Sequence, residues 1–104
     1  MIKHIVLWKL KEEASGEKGK AQARSLKAAL EGLRGKIPQI RNLEVGLNFN
    51  PGEGASDLSL YAEFDGREDL ELYQKHPDHL KVAEQVRQAV REKRVSDYEV
   101  DHAG

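Results

Sequence analysis

The sequence predicts an α+β fold, an antiparallel sheet with helices on one face. Three observations carry this expectation. Three segments alternate apolar and polar residues with a period of two. Two longer segments repeat apolar residues every three or four positions. Pro77 interrupts the second of those helical segments.

The first strand is Ile2 to Leu10. Ile2, His4, Val6, Trp8 and Leu10 share one face, and Lys3, Ile5, Leu7 and Lys9 share the other. Apolar groups lie mid-strand on both faces, so both are expected to be covered, though not by the same kind of layer. From Glu17 to about Gly35 the period becomes helical, with Leu26, Leu30, Leu33 and Ile37 on one stripe. Ser15 is the expected N-cap, Gly35 the expected left-handed C-terminal residue, and Pro38 blocks continuation. Leu43 to Phe49 alternates again, and NPGEGAS (50–56) is a turn sequence leading to the alternating set Leu58, Leu60, Ala62 and Phe64. These two strands should form an antiparallel hairpin.

Asp65 followed by Glu68 resembles a capping box, opening a short helix through Leu70 and Tyr73. Pro77 disfavours helical geometry at His76 and suits the first turn of a new helix, so a break is expected there. The new helix should carry Leu80, Ala83, Val86 and Val90 on one face and close at Lys93 and Arg94. Val95 to Val100 would be the last strand, followed by a frayed tail that includes His102. The order β-α-β-β-α-β is ferredoxin-like, and residues 1–104 are expected to form one domain. The sheet face opposite the helices carries Ile5 and Leu7 and calls for a lid, which a second copy of the chain would supply.

Composition narrows the function classes. Apolar residues make up 38% and charged residues 34% of the 104, with a formal charge of −1, so bulk charge attracts neither nucleic acid nor an anionic membrane. No apolar run reaches the length of a membrane span. The absence of cysteine excludes disulfides, thiolate nucleophiles and thiolate metal sites. No cofactor or metal is expected. A cytoplasmic location is expected from the lack of targeting signals.

Candidate chemistry concentrates in YQKHPDHLKV (73–82), which holds two of the four histidines and a tyrosine. Together IKHIVLWKLK, GKIP with LEVGLNF, DLSLYAEF, LELYQKHPDHLKV and VSDYEV resemble the stress-responsive A/B barrel family. The resemblance runs from Met1 to about Val100. It implies a dimeric α/β barrel in which two ferredoxin-like sheets close on one another, and a homodimer as the assembly. Many such proteins have no determined function, so a small-molecule-binding barrel is the first expectation. A plant branch cyclises polyketides without a cofactor, and its tyrosine and histidine correspond to Tyr73 and His79, with His76-Pro77 between them. In that branch a first-strand histidine, matched by His4, lines the pocket, and Asp97 matches an aspartate of the last strand. The resemblance therefore implies Tyr73 and His79 as catalytic residues in a lyase or cyclase, with His4, Val6, Trp8, His76 and Asp97 around the substrate. A monooxygenase-like barrel is a further alternative, by fold analogy.

The chemistry is coherent. A histidine near neutral pKa serves as a general base, a tyrosine hydroxyl donates to a developing oxyanion, and a carboxylate fixes an imidazole tautomer. Against it stand simpler roles: His76 as a helix cap, Tyr73 as a core tyrosine, His79 as a surface histidine and Trp8 as packing. The plant branch carries bulky aromatic residues in its first and last helices, and the corresponding segments here, KAQARSLKAALEGL and LKVAEQVRQAVREKRV, contain none, so the resemblance implies a substrate smaller or more polar than an alkyl polyketide. The basic residues Arg87, Arg91, Lys93 and Arg94 alternate with Glu84 and Glu92 and read as a solvated helix face.

Overall fold

A computed structural model describes residues 1–13 and 15–101. The chain runs β1 (Ile2–Leu10), α1 (Glu17–Glu31), β2 (Asn42–Leu47), β3 (Leu58–Phe64), α2 (Arg67–Lys75), α3 (Pro77–Ala89) and β4 (Val90–Glu99). The strands pair antiparallel in the order β2-β3-β1-β4. This is the expected ferredoxin-like arrangement.

Strand parity decides where the core lies. The odd-numbered side chains of β1 face away from the helices. On the even side Ile2, Val6, Trp8 and Leu10 are buried with Leu58, Leu60, Ala62 and Phe64 of β3 and Leu43 and Val45 of β2. Leu26 and Leu30 of α1, Leu33, Ile37, Tyr73 of α2 and Val86 of α3 close over them. Coverage is uneven: β4 is exposed along most of its length, and Val95 keeps 49% of its surface.

Several boundaries differ from the sequence expectation, each for a local reason. Ser15 does not cap α1; Gly16 does so in extended geometry, and the Ser15 hydroxyl instead donates to Glu13. Gly35 is not left-handed, because α1 runs on into a 3₁₀ turn, Gly32–Gly35; among the described residues it is Gly54, in the β2–β3 loop, that has a positive φ, at +83°. The Asp65/Glu68 capping box does not form. Gly66 takes the cap position, and Asp65 pairs with Arg41 at 3.5 Å. β2 stops at Leu47, where the Asn48 N–H donates to the Asp57 carbonyl, and Phe49 beyond it is 94% exposed. α3 ends at Ala89, so Val90, Lys93 and Arg94 belong to β4 and not to the helix. The tail expectation, with His102, falls outside the described residues. Among the described residues no helix is long and apolar enough to cross a membrane.

The break at Pro77 follows the sequence closely. His76 is extended (φ −62°, ψ 136°), and Pro77 opens α3 at its first position, where an amide hydrogen would have no helical partner. The His76 Nδ1 accepts the Asp78 amide hydrogen at 3.1 Å, filling the cap role usually taken by Asn or Asp. Replacing His76 by Ala should cost about 1 kcal/mol of stability. His76→Asn should restore most of it. Urea denaturation of the two variants would measure this, and equal losses would remove the cap from the account.

Candidate functional site

A cavity of about 520 Å³ opens between α2, α3 and the exposed end of β4. That size falls within the range of small-molecule sites, roughly 300–1,000 Å³. Its floor is the helix-facing side of β1, where His4, Val6 and Trp8 line it, and its wall includes Tyr73, His79, Leu80 and Val86.

Each of these side chains is placed by its own element. His4 lies directly opposite Asp97 in the β1–β4 register, so both project from one face, and the His4 Nδ1 forms a short hydrogen bond with the Asp97 carboxylate. An ionised carboxylate only accepts, so the His4 Nδ1–H donates to it. His4 is 5% exposed and Asp97 is largely open to solvent, so the pair runs from the rim into the core. On its other side His4 faces Ala62, whose small side chain leaves room for the Tyr73 ring, 6.1 Å away edge-on.

Tyr73 is 1% exposed and packs on Phe64 at 4.9 Å. Burial pushes its phenol up to about 12, so at neutral pH it is a neutral donor. Across the Pro77 break, the His79 ring lies 4.5 Å from that of Tyr73. The His79 Nδ1 lies 3.1 Å from the Gln74 carbonyl oxygen, which only accepts, so Nδ1 donates and Nε2 carries the lone pair. Burial lowers the His79 pKa. The Gln74 carbonyl opposes this, and His4, Lys93 and His76 reinforce it. Site and solvent thus meet at a neutral imidazole beside a neutral phenol.

Of the residues expected around a substrate, His4, Val6, Trp8, Tyr73 and His79 line this cavity. Asp97 does not; it reaches the site through His4. His76 is also outside the lining, and its expected place beside a substrate gives way to the cap on α3. Sequence reasoning missed the mouth of the cavity, where Arg91, Glu92 and Lys93 line the wall from β4. The usable signal was the pair Val90 and Val95, β-branched residues flanking a charged run that suits an edge strand. Among the described residues no group of three His, Cys, Asp or Glu side chains could hold a metal ion.

Comparison with known proteins places this geometry. The chain matches the stress-responsive A/B barrel domain model over residues 2–100 and belongs to that family. No curated protein matches it. A dimeric protein of unknown function with a ferredoxin-like fold from Bacteroides fragilis NCTC 9343 is 38% identical, with a TM-score of 0.85 and 95% of each chain covered. A dimeric ferredoxin-like protein of unknown function from Thermobifida fusca is 23% identical (TM-score 0.79, covering 95% of this chain and 90% of that one). A hydroxynitrile lyase from Passiflora edulis is 19% identical (TM-score 0.78, 99% and 95% covered), a likeness of fold.

The lowered pKa of His79 has a measurable sign. The folded protein resists protonating this ring more than the unfolded chain does, so the unfolded state binds more protons as pH falls. Its stabilising contribution is present above the unfolded value and is lost as pH falls through the folded one. NMR titration should place the His79 midpoint below the 6.5 of a free imidazole. His79→Gln should flatten the fall in stability below that pH; a midpoint at or above 6.5 would contradict the burial argument.

Proposed function

We propose that this member of the stress-responsive A/B barrel family is a dimeric small-molecule-binding barrel whose cavity performs cofactor-free acid–base chemistry on a carbon acid, in the manner of a lyase or cyclase. The observation that carries the reading is the meeting of Tyr73, His79 and His4 on one cavity, with ring separations of 4.5 and 6.1 Å.

Each group has one step. The His79 Nε2 takes a proton from carbon, and the electron pair of that bond moves into an adjacent carbonyl to give an enolate. Tyr73 donates a hydrogen bond to the enolate oxygen, which a buried phenol can do without ionising. The enolate then closes onto a second carbonyl within the same molecule, and His79 returns its proton to the new alkoxide. Burial favours the neutral partners at the start, so His79 is a competent base near neutral pH. His4, oriented by Asp97, is the second imidazole of the cavity and serves to hold a polar group of the substrate. The Passiflora edulis protein is a lyase on the same fold, which supports this class of reaction without fixing the substrate.

A panel of linear dicarbonyl compounds long enough to close a five- or six-membered ring, followed by loss of substrate, tests the chemistry. His79→Ala should lower any turnover by about a hundredfold or more, as removal of a general base does. Tyr73→Phe should lower it by a similar factor, about a hundredfold, through loss of the oxyanion donor. An unchanged rate in His79→Ala would reduce the cavity to a binding site.

The dimer is proposed through the sheet face opposite the helices. There Ile5, Leu7, Tyr61 and Tyr98 form an apolar centre, with Leu7 36% and Tyr98 45% exposed. Ion pairs flank it, Lys3 with Glu63 at 3.8 Å and Lys9 with Glu92 at 3.7 Å. An apolar centre with a charged rim is the composition of a protein interface. Sedimentation should give a dimer at micromolar concentration, and Leu7→Asp should yield monomer or unfolded chain, because an unpaired buried charge is costly. A folded, stable monomer of the unaltered protein would refute the interface.

A further inference from the structure

The charges at the mouth of the cavity do not cancel. Glu84 is occupied by Arg87, whose Nε donates to it at 2.9 Å. Glu92 lies opposite Lys9 in the register, so its carboxylate turns to the other face of the sheet and meets Arg94 at 3.0 Å and Lys9 at 3.7 Å there. Asp97 is held by His4. Two cations of the lining are left over. Lys93 has no ion pair among the described residues, and Arg91 has only its Nε committed, to the Leu10 carbonyl at 3.2 Å.

The strand aims Lys93 at the cavity, and Arg91 stands at the cavity's edge, where it also borders a second hollow lined by Lys9, Lys20 and Asp57. Lys93 lies opposite Trp8 in the register, so it projects from the helix-facing side of the sheet toward the cavity. Its charge helps to disfavour the protonated form of His79. Arg91 occupies the bulge where the β1–β4 register slips between Lys9 and Leu10; a bulge re-aims the side chain it carries. Between these cations and the acid–base end the surface is apolar, with Leu80 56% and Val95 49% exposed beside Trp8.

We propose that the cavity is selective for small organic acids, with Lys93 and Arg91 binding the carboxylate and Trp8, Leu80 and Val95 holding an apolar body that reaches toward Tyr73 and His79. This rests on reading the cavity as a small-molecule site and adds the class of ligand. Four residues separate Lys93 from Asp97 along β4, about 13 Å at strand rise, so a carboxylate at one end leaves the Asp97–His4 end free for the reacting carbon. Lysine and arginine suit such a group through charge-assisted hydrogen bonds.

A matched pair of probes tests the charge alone: cinnamate and its uncharged amide, cinnamamide, titrated calorimetrically into the dimer. Cinnamate should bind about tenfold more tightly, which corresponds to about 1.4 kcal/mol. Added salt should shrink the difference, since the cations are solvent-exposed. Lys93→Gln should remove most of the preference and Lys93→Glu should reverse it, both with an unchanged melting temperature because Lys93 is exposed on an edge strand. Equal affinity for the acid and the amide overturns the proposal. So does a preference that survives Lys93→Glu, or failure of both probes to bind. The readout is binding of an unreactive acid, so it is blind to proton transfer. A His79 variant that keeps full turnover would sink the acid–base reading and leave the acid-to-amide ratio untouched.

Discussion

The site depends on one backbone constraint, the break between α2 and α3 at Pro77. Six residues separate Tyr73 from His79. In an unbroken helix they would be offset by about 240° around the axis and could not share a face. Proline removes the amide hydrogen that would continue α2 and forces His76 into extended geometry, after which α3 starts afresh on a new axis. The outcome is a ring–ring contact of 4.5 Å between residues that helical periodicity alone would separate. His76 makes the break tolerable by accepting the Asp78 amide hydrogen, so a residue for which the sequence offered both a substrate contact and a helix cap serves the architecture that brings the other two together.

The second constraint is the position of β4 at the edge of the sheet. β1 lies between β3 and β4, so its helix-facing residues meet a buried partner on one side and an exposed one on the other. His4 sits at this border, with Ala62 fully buried on one flank and Asp97 in contact with solvent on the other. The helices cover β1, β2 and β3 and stop short of β4, which leaves a gap of 520 Å³ and not a closed core. Leu80 and Val95 would be poor choices on a plain surface; as walls of this gap their exposure is explained.

Most of the fold was legible because its signals are periodic. The parity of β1 placed His4 with Val6 and Trp8, and the residues around Pro77 placed the helix break, both as found. Helix and strand ends were less legible, because capping is a competition among neighbours. Gly16 and Gly66 took the caps that Ser15 and Asp65 were expected to take, Asp65 being drawn to Arg41. The largest error was the segment from Val90 to Arg94. Its charges resemble the exposed face of a helix, yet both faces of an uncovered edge strand tolerate charge as well. That one misreading hid Lys93 and Arg91 from the site, since register with Trp8, and not local sequence, turns Lys93 toward the cavity.

The same burial moves the two central groups in opposite directions and keeps both neutral. Desolvation penalises whichever form is charged, so it raises the phenol of Tyr73 and lowers the imidazole of His79. A donor that stays protonated then stands beside an imidazole that stays unprotonated. The arrangement resists the reverse assignment. A tyrosinate here would be an uncompensated buried anion, whereas an imidazolium at half-buried His79 keeps the Gln74 carbonyl as its acceptor. Protonating His79 therefore meets less resistance than ionising Tyr73, which is why the proposed chemistry takes His79 as the base and Tyr73 as the hydrogen-bond donor.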